Sequence, residues 1–267
     1  MGADIKNLRT RIKSVNSTLH LTKAMGLVAS SKIRRANLNM EKSRQYKEAV
    51  KDAVRELMSS DACRKSPYLS ENPNGKTCLI TIAGDRGLAG GYNANIFRKV
   101  KEYPDAEIIP IGKYACDKYG SGFASSEDFG YTDAKELAER ICKSFADGEY
   151  ERVGIVCTRY ISMMSQEAKV EWILPLEKKQ NGQKSGVVFE PDELTVLGII
   201  IPEYVAGVLV ACVKESFASE VAARRVAMDS AGKNAQEMLD DLSIAYNRAR
   251  QGAITQEITE IVAGSGL

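Results

Sequence analysis

A hydrophobic repeat over the first 57 residues constrains this chain more than any other feature. From Ile5 to Leu57, sixteen positions follow one another at alternating steps of three and four residues, and twelve of them are apolar. This spacing is the heptad pattern of a coiled-coil helix. One helix of this length would extend roughly 80 Å at about 1.5 Å per residue, so it needs a partner helix of similar length. The sixteen positions are Ile5, Leu8, Ile12, Val15, Leu19, Thr22, Gly26, Ala29, Ile33, Ala36, Met40, Ser43, Lys47, Val50, Val54 and Leu57.

The last part of the chain offers that partner. All seven prolines lie between residues 67 and 202, so both flanks are free to form long uninterrupted helices. We predict that residues 1–58 and 203–267 pair as an antiparallel coiled coil, in which alanines allow close approach. The second seam is predicted at Phe217, Val221, Arg224, Met228, Ala231, Ala235, Met238, Leu242, Ala245 and Ala249. The alternative is two unrelated amphipathic helices of an ordinary globular fold.

The middle of the chain indicates a small α/β domain, Rossmann-like, over residues 76–190. Short apolar runs at 77–82, 107–111, 153–160 and 168–174 are typical of strands, and helical segments separate the first three. Helix resumes after Pro191, with a break or bend expected at Pro202. The apolar run from 194 to 213 contains Pro202 and Glu203, and we interpret it as buried core rather than a membrane span.

The charge of the chain is unevenly distributed. Residues 1–57 carry thirteen Lys or Arg against five Asp or Glu, while the whole chain has a formal charge of only +2. The first helix is therefore basic and the remainder is net acidic. A basic helix is suited to an acidic protein surface, a nucleic acid or an anionic membrane.

The residues favour an interaction or mechanical protein over an enzyme. The one histidine, His20, lies on the predicted coiled-coil helix, so a serine or cysteine nucleophile would have only this residue as its histidine base. The six cysteines show neither a CxxC pair nor a tight cluster. The glycine-rich turn at 84–93 has neither the phosphate-loop nor the dinucleotide spacing, and we interpret it as a tight turn that needs positive φ angles. The basic run at 32–35 lacks interleaved aromatics, so we expect a solvated helix face rather than a nucleic-acid site. We predict no catalytic, cofactor-binding or metal-binding residues.

Three motifs resemble those of the γ subunit of F-type ATP synthases. They are TKAM at 22–25 continuing into VASSKIRRA at 28–36, DRGLAGGYN at 85–93, and YNRARQGAITQEITEIV at 246–262. Their order and spacing account for essentially the whole chain. Gly26, Ala89, Val221 and Arg225 differ from the residues expected at those places in many members of the family.

The resemblance implies a central rotor shaft and no catalysis by this chain. In this family the coiled coil turns inside a ring of three α and three β subunits, and the α/β domain meets the ε subunit and the membrane-embedded c-ring. One copy would serve each complex, peripheral to the cytoplasmic face of the cell membrane. We expect a bacterial source, because neither a transit peptide nor the dithiol segment of the chloroplast form is recognised, and we expect no nucleic acid or cofactor.

The resemblance also implies a set of coupling residues. Met25, Arg224, Arg250, Gln251 and Thr255 match positions at the rotor–stator contact or in the coupling-sensitive C-terminal helix. Plain coiled-coil packing or a surface role is the alternative for Met25 and the two arginines. Two other functions remain open at this point. One is a coiled-coil scaffold with an α/β domain, and the other is a nucleotide-binding enzyme that uses the turn at 84–93.

Overall fold

The computed structural model describes residues 2–58, 63, 66–70, 72–176 and 190–264. Five α-helices and four β-strands form within them. In chain order they are α1 (Gly2–Leu57), β1 (Lys76–Ile82), α2 (Tyr92–Val100), β2 (Glu107–Ile111), α3 (Lys113–Tyr119), α4 (Tyr131–Ala146), β3 (Tyr150–Tyr160), β4 (Gln166–Leu174) and α5 (Glu193–Gly264). A short 3-10 helix, Pro67–Leu69, lies between α1 and β1. The predicted fold class, two long terminal helices around a small α/β domain, is confirmed.

The chain divides into two compact units. We call Met1–Ser30 with Arg224–Leu267 the helical unit, and Ser31–Ala223 the sheet unit. The first contains the N-terminal part of α1 and the C-terminal part of α5. The second contains the sheet, α2 to α4 and the remaining parts of the two long helices. The boundaries 1–58, 76–190 and 203–267 that we assigned from the sequence stay a prediction, and residues 177–189 of the middle segment lie outside the described residues.

The sheet has four strands in the order β2-β1-β3-β4. β1 pairs in parallel with both β2 and β3, and β3 pairs with β4 in an antiparallel hairpin. All four predicted strands are present, β2 with the predicted bounds and the other three beginning one to three residues earlier. Parallel neighbouring strands need crossover connections. Here α2 lies between β1 and β2 in the chain, and α3 and α4 lie between β2 and β3.

Side chains of β1 alternate between two apolar layers. Cys78, Ile80 and Ile82 belong to the larger core, which also contains α4, the end of α1 and the beginning of α5. Leu79 points into the smaller core formed with Ile96 and its neighbours from α2. This two-residue alternation is the period of a strand that is buried on both faces.

The beginning of α5 is core, as predicted. Leu197, Ile201, Val205 and Leu209 are at most 1% exposed and pack within the larger core of the sheet unit. α5 is the one helix among the described residues that is long and apolar enough to cross a membrane, but 61% of its apolar window is buried. Of the break or bend expected at Pro202, the break does not occur, because α5 continues through this residue; the bend stays a prediction. Proline removes one helical hydrogen bond, and the surrounding apolar burial offsets this cost.

The heptad seam of α1 is confirmed along its whole length. All sixteen predicted positions are buried or half-buried. On α5, eight of the ten predicted positions are also at least half-buried, but Met238 and Ala245 are exposed, and Leu239 and Tyr246 take their places. An α-helix drifts by about 20° per heptad relative to a strict seven-residue repeat. The buried stripe of α5 therefore moves to the next residue, as the eleven-residue step from Met228 to Leu239 shows.

Candidate functional site

In the helical unit, small and apolar residues hold α1 and α5 together. Leu19 packs with Ala235 and Leu239, and the half-buried Ile12 and Val15 lie beside them. These side chains present no polar atoms to one another, so the contact depends on apolar burial, which has no preferred direction.

Gly26 lies at a close contact between the two helices. A Cβ atom at Gly26 would lie 3.7 Å from the Cβ of Met228 and 3.3 Å from Nη1 of Arg225. The same Nη1 donates a hydrogen bond of 2.9 Å to the backbone oxygen of Gly26. Partner numbers fall along α5, from Leu239 to Arg225, as numbers rise along α1 from Leu19 to Gly26, so the pair is antiparallel as predicted.

Two predicted coupling residues lie next to this contact. Met25 precedes Gly26 on α1, and Arg224 precedes Arg225 on α5; both are half-buried. Sequence reasoning missed Arg225, which it identified only as a departure from the family pattern. The available signal was the pairing of a helix-interior glycine with a long side chain on the opposite helix, and it becomes visible only when the register of the two helices is known.

The other three predicted residues lie on the exposed end of α5. Arg250, Gln251 and Thr255 are all exposed. The Thr255 hydroxyl donates to the Gln251 backbone oxygen at 2.9 Å, which is a bond within the same helix. The structure therefore separates the five predicted residues into one set beside Gly26 and another on the last turns of α5.

This last part of α5 exposes large apolar side chains. Ile254, Ile258, Ile261 and Val262 are between 46% and 69% exposed, at the three-to-four-residue spacing of one helix face. An exposed apolar face of this kind is typical of an interaction surface.

The exposed surface of α1 in the helical unit is basic. Five cationic side chains are exposed there, at Lys6, Arg9, Arg11, Lys13 and Lys23. A surface with this charge attracts acidic partners over several ångströms of solvent.

The glycine-rich turn of the sheet unit has the strained backbone expected of it. Leu88 has a φ of 61° and Gly90 a φ of 59°, both in the left-handed region. Such a conformation is uncommon for a leucine, and the Leu88 side chain is 59% exposed. The backbone amide of Gly84 donates to Oδ1 of Asn93 at 2.9 Å, which ties the two ends of the turn together.

A carboxylate next to the glycine-rich turn is held by several hydrogen bonds. Asp85 follows β1 and accepts backbone N–H bonds from Lys113, Ser126 and Glu127 and a hydroxyl bond from Ser125, at 2.9 to 3.1 Å. Burial alone would raise the pKa of Asp85, but these bonds lower it below its usual value. These donors are therefore already paired within the chain.

A buried charged cluster fixes α1 on the sheet. The ammonium group of Lys47, a predicted seam residue, pairs with the carboxylate of Glu171 on β4, and Lys169 donates to the same carboxylate at 3.0 Å. Burial would raise the pKa of Glu171, but the two lysines lower it to about 2. Cys157 and Cys212 lie within 4.8 Å of a Glu171 oxygen and of each other. A metal ion here would have to compete with both lysines for the carboxylate.

Comparisons with known proteins identify the family. The family model described as ATP synthase matches residues 4–266. The ATP synthase gamma chain of Ruminococcus albus is 41% identical over 98% of both chains. The gamma chain of Acetobacterium woodii, described as sodium ion specific, is 35% identical over 99% of both chains.

Solved structures share the fold. A chain of the Euglena gracilis mitochondrial ATP synthase, in its OSCP/F1/c-ring part, aligns with a TM-score of 0.69 and 17% identity, over 99% of this chain and 94% of that one. A chain from the central stalk and c-ring of the Tetrahymena thermophila enzyme aligns with a TM-score of 0.63 and 22% identity, over 79% and 99%. With sequence relatives of this identity over nearly its whole length, the chain belongs to the family of ATP synthase γ chains.

Proposed function

We propose that this chain is the central rotor shaft of an ion-translocating ATP synthase. It couples rotation of the c-ring to ATP synthesis, or to hydrolysis in the reverse direction, at catalytic sites on the β subunits. The observation that carries the proposal is the full-length relationship to γ chains, together with a helical unit that exposes a basic surface and an apolar helix end. We assign catalysis to the β subunits and a non-catalytic role to this chain.

The proposed partners follow from the surfaces of the two units. The helical unit turns inside the ring of three α and three β subunits. Its exposed lysines and arginines meet acidic side chains of the β subunits, and the apolar face of Ile254, Ile258 and Ile261 turns in an apolar sleeve with few directional bonds. The sheet unit binds the ε subunit and the c-ring. One copy serves each complex, at the cytoplasmic face of a bacterial cell membrane.

The coupling residues are proposed as two groups. Met25 and Arg224 act at the level of Gly26, where α1 and α5 are in close contact. Arg250, Gln251 and Thr255 act on the last turns of α5, where their exposed side chains are available to the surrounding ring. The exposure of these three side chains supports a contact role.

The test is co-expression with the α and β subunits of the same organism. We expect a purified complex with one copy of this chain per three αβ pairs. Removal of residues 250–267 should change its ATPase activity, and so should Arg250→Ala, Gln251→Ala and Thr255→Ala singly. Glu237→Ala, at an exposed position of α5 outside the predicted set, is the matched control and should leave the activity unchanged.

Failure to join an α/β complex would contradict the rotor function and favour the scaffold protein. The nucleotide-binding alternative makes a separate prediction, because a ligand that binds the folded chain raises its melting temperature. We expect ATP to produce no such stabilisation of the isolated chain, since Asp85 already occupies the donors near the turn.

A further inference from the structure

Part of α5 in the sheet unit carries polar residues where a core helix is normally apolar. We call Glu215, Ser216, Ser219 and Glu220 the polar cluster of α5. Their spacing places them on neighbouring turns of one helix side, and Ser216, Ser219 and Glu220 are between 0% and 3% exposed. Burying polar groups to this degree is costly unless they are hydrogen-bonded, so these residues are expected to have hydrogen-bond partners.

The serines of the cluster bind the end of β3. The backbone N–H of Thr158 donates to the Ser216 hydroxyl oxygen at 3.1 Å, and the Ser219 hydroxyl donates to the backbone oxygen of Thr158 at 3.3 Å. Two residues further on, the N–H of Tyr160 donates to Glu215 at 3.2 Å. Helix α5 therefore bonds directly to the backbone of a central strand, in addition to its apolar packing.

The same cluster holds the glycine-rich turn. The Tyr92 hydroxyl donates to the Ser216 backbone oxygen at 3.1 Å. Burial and then the negative charge of Glu220 raise the pKa of Tyr92 above its usual value. The Glu220 carboxyl group lies over Gly84, where a Cβ atom would be only 2.8 Å from its carboxyl carbon. Gly84 is thus the residue whose missing side chain leaves room for the Glu220 carboxylate.

We propose that this cluster fixes the rotation of α5 relative to the sheet, and that Glu220 is a positioning residue for energy coupling. This inference rests on the proposed rotor function. The apolar packing of α5 is supplemented here by bonds that have a preferred direction, which the hydrophobic effect itself lacks. Hydrogen bonds weaken steeply when their angles change, so a small turn of α5 about its own axis would break the bonds to Thr158 and Tyr92 together. The cluster is therefore where torque passes between the sheet and α5.

The experiment uses the complete ATP synthase in liposomes, with ion uptake measured against ATP hydrolysed. For Glu220→Ala we expect the ratio of ion uptake to hydrolysis to fall about twofold or more, the low end of interaction energies between neighbouring residues. Ser216→Ala removes one hydroxyl with little change in volume and should lower the ratio in the same direction. It keeps the test decisive if Glu220→Ala does not assemble.

Val213→Ala is the control for a merely structural effect. Val213 is fully buried on the same helix but offers no hydrogen bond from its side chain. We expect it to lower the melting temperature while the ratio stays at the wild-type value. An unchanged ratio in both Glu220→Ala and Ser216→Ala, in an assembled complex, would overturn the inference without affecting the rotor function. A wild-type chain that does not assemble with α and β would instead overturn the rotor function.

A second pair of variants tests the fit between Gly84 and Glu220. Gly84→Ala should lower the ratio, because the new methyl group displaces the Glu220 carboxylate from its buried position. Gly84→Ala combined with Glu220→Ala should then lose no more than Glu220→Ala alone, since the obstructing carboxylate is gone. Gly198→Ala, which has open space around its Cβ position, is the matched glycine control. Additive losses in the double variant would contradict the proposed contact.

Discussion

The two long helices meet in both units, but different forces hold them in each. In the helical unit the contact consists of apolar and small residues, such as Leu19 against Ala235, with the Arg225 hydrogen bond to Gly26 as a polar link. In the sheet unit, ion pairs join each helix to its surroundings, through Lys47 with Glu171 and Arg44 with Glu215. Directional ion pairs therefore add to the apolar burial of the two helices in the sheet unit, whereas apolar burial predominates in the helical unit.

This difference suits the proposed function. A shaft that receives torque needs bonds that resist rotation where the torque enters, and these lie in the sheet unit. A surface that turns inside other subunits gains from having few such bonds, and the exposed Leu21, Leu27 and Ile258 of the helical unit offer none from their side chains. Substitutions at matched positions of the two units should therefore have effects that differ in size and sign.

The largest effect is expected from Lys47→Ala in the sheet unit. The lysine side chain is 10% exposed, and its removal leaves Glu171 with Lys169 alone. Breaking a buried ion pair typically costs about 3 kcal/mol or more of the free energy of unfolding, and we expect the lower end because Lys169 remains. Urea unfolding followed by the fluorescence of Trp172, the sole tryptophan and the neighbour of Glu171, measures the loss.

The matched control replaces both partners with apolar residues. Lys47→Met with Glu171→Leu removes both partners of the ion pair, and Lys169, whose side chain is 33% exposed, keeps its contact with solvent. Such replacements are often neutral in stability. We expect the double variant to unfold near the wild-type urea concentration. A single variant that is no less stable than the double one would show that the ion pair does not fix α1 on the sheet.

Acid should weaken the sheet unit through the same residue. The pKa of Glu171 is about 2 in the folded chain, whereas a glutamate without such partners has a pKa of 4.5. A lowered folded-state pKa contributes stability that is complete above the unfolded value and is lost as the pH falls from about 4.5 towards 2. We therefore expect wild type to lose stability relative to the Lys47→Met, Glu171→Leu variant across this window. Parallel pH profiles of the two proteins would contradict the assignment.

Lys47 also shows what sequence reasoning could and could not reach. The heptad step correctly placed Lys47 in a buried seam, because periodicity alone determines which side of a helix faces inward. Its partner Glu171 is 124 residues away on another element, and no local pattern connects the two. The same limit hid Arg225 and the fit of Glu220 over Gly84, whereas the strands of the sheet followed from their short apolar runs.

The sequence pattern also could not predict which residues of α5 lie in the seam over a long distance along the helix. Met238 and Ala245 were predicted by extending a strict heptad, and the helix drifts away from that repeat. The coupling roles of Met25, Arg224, Arg250, Gln251 and Thr255 rest on motif resemblance, so they stay predictions until the variants are measured.

A glycine of the sheet unit gives the next prediction. A Cβ atom at Gly207 on α5 would lie 2.8 Å from Cε1 of Tyr46 on α1. Gly207→Ala should gain about 1 kcal/mol of helix propensity but lose about 2 kcal/mol to overpacking, so the chain becomes less stable. Thermal unfolding measures the change, and adding Tyr46→Ala should remove the overpacking part. A loss that is the same with and without Tyr46 would contradict this account.

The smallest effect is expected from the matching glycine of the helical unit. Gly26→Ala meets only the end of the Arg225 side chain at 3.3 Å and the Met228 Cβ at 3.7 Å. A few tenths of an ångström of movement by a flexible guanidinium relieves this contact, so the gain in helix propensity of at most about 1 kcal/mol should dominate and stabilise the chain. Gly252→Ala, an exposed helix position with open space around it, should show the full gain. The difference between the two, from helical circular dichroism on heating, measures how tightly α1 and α5 pack at Gly26. If Gly26→Ala destabilises the chain as Gly207→Ala does, the helical unit is as rigidly packed as the sheet unit, and the contrast between them disappears.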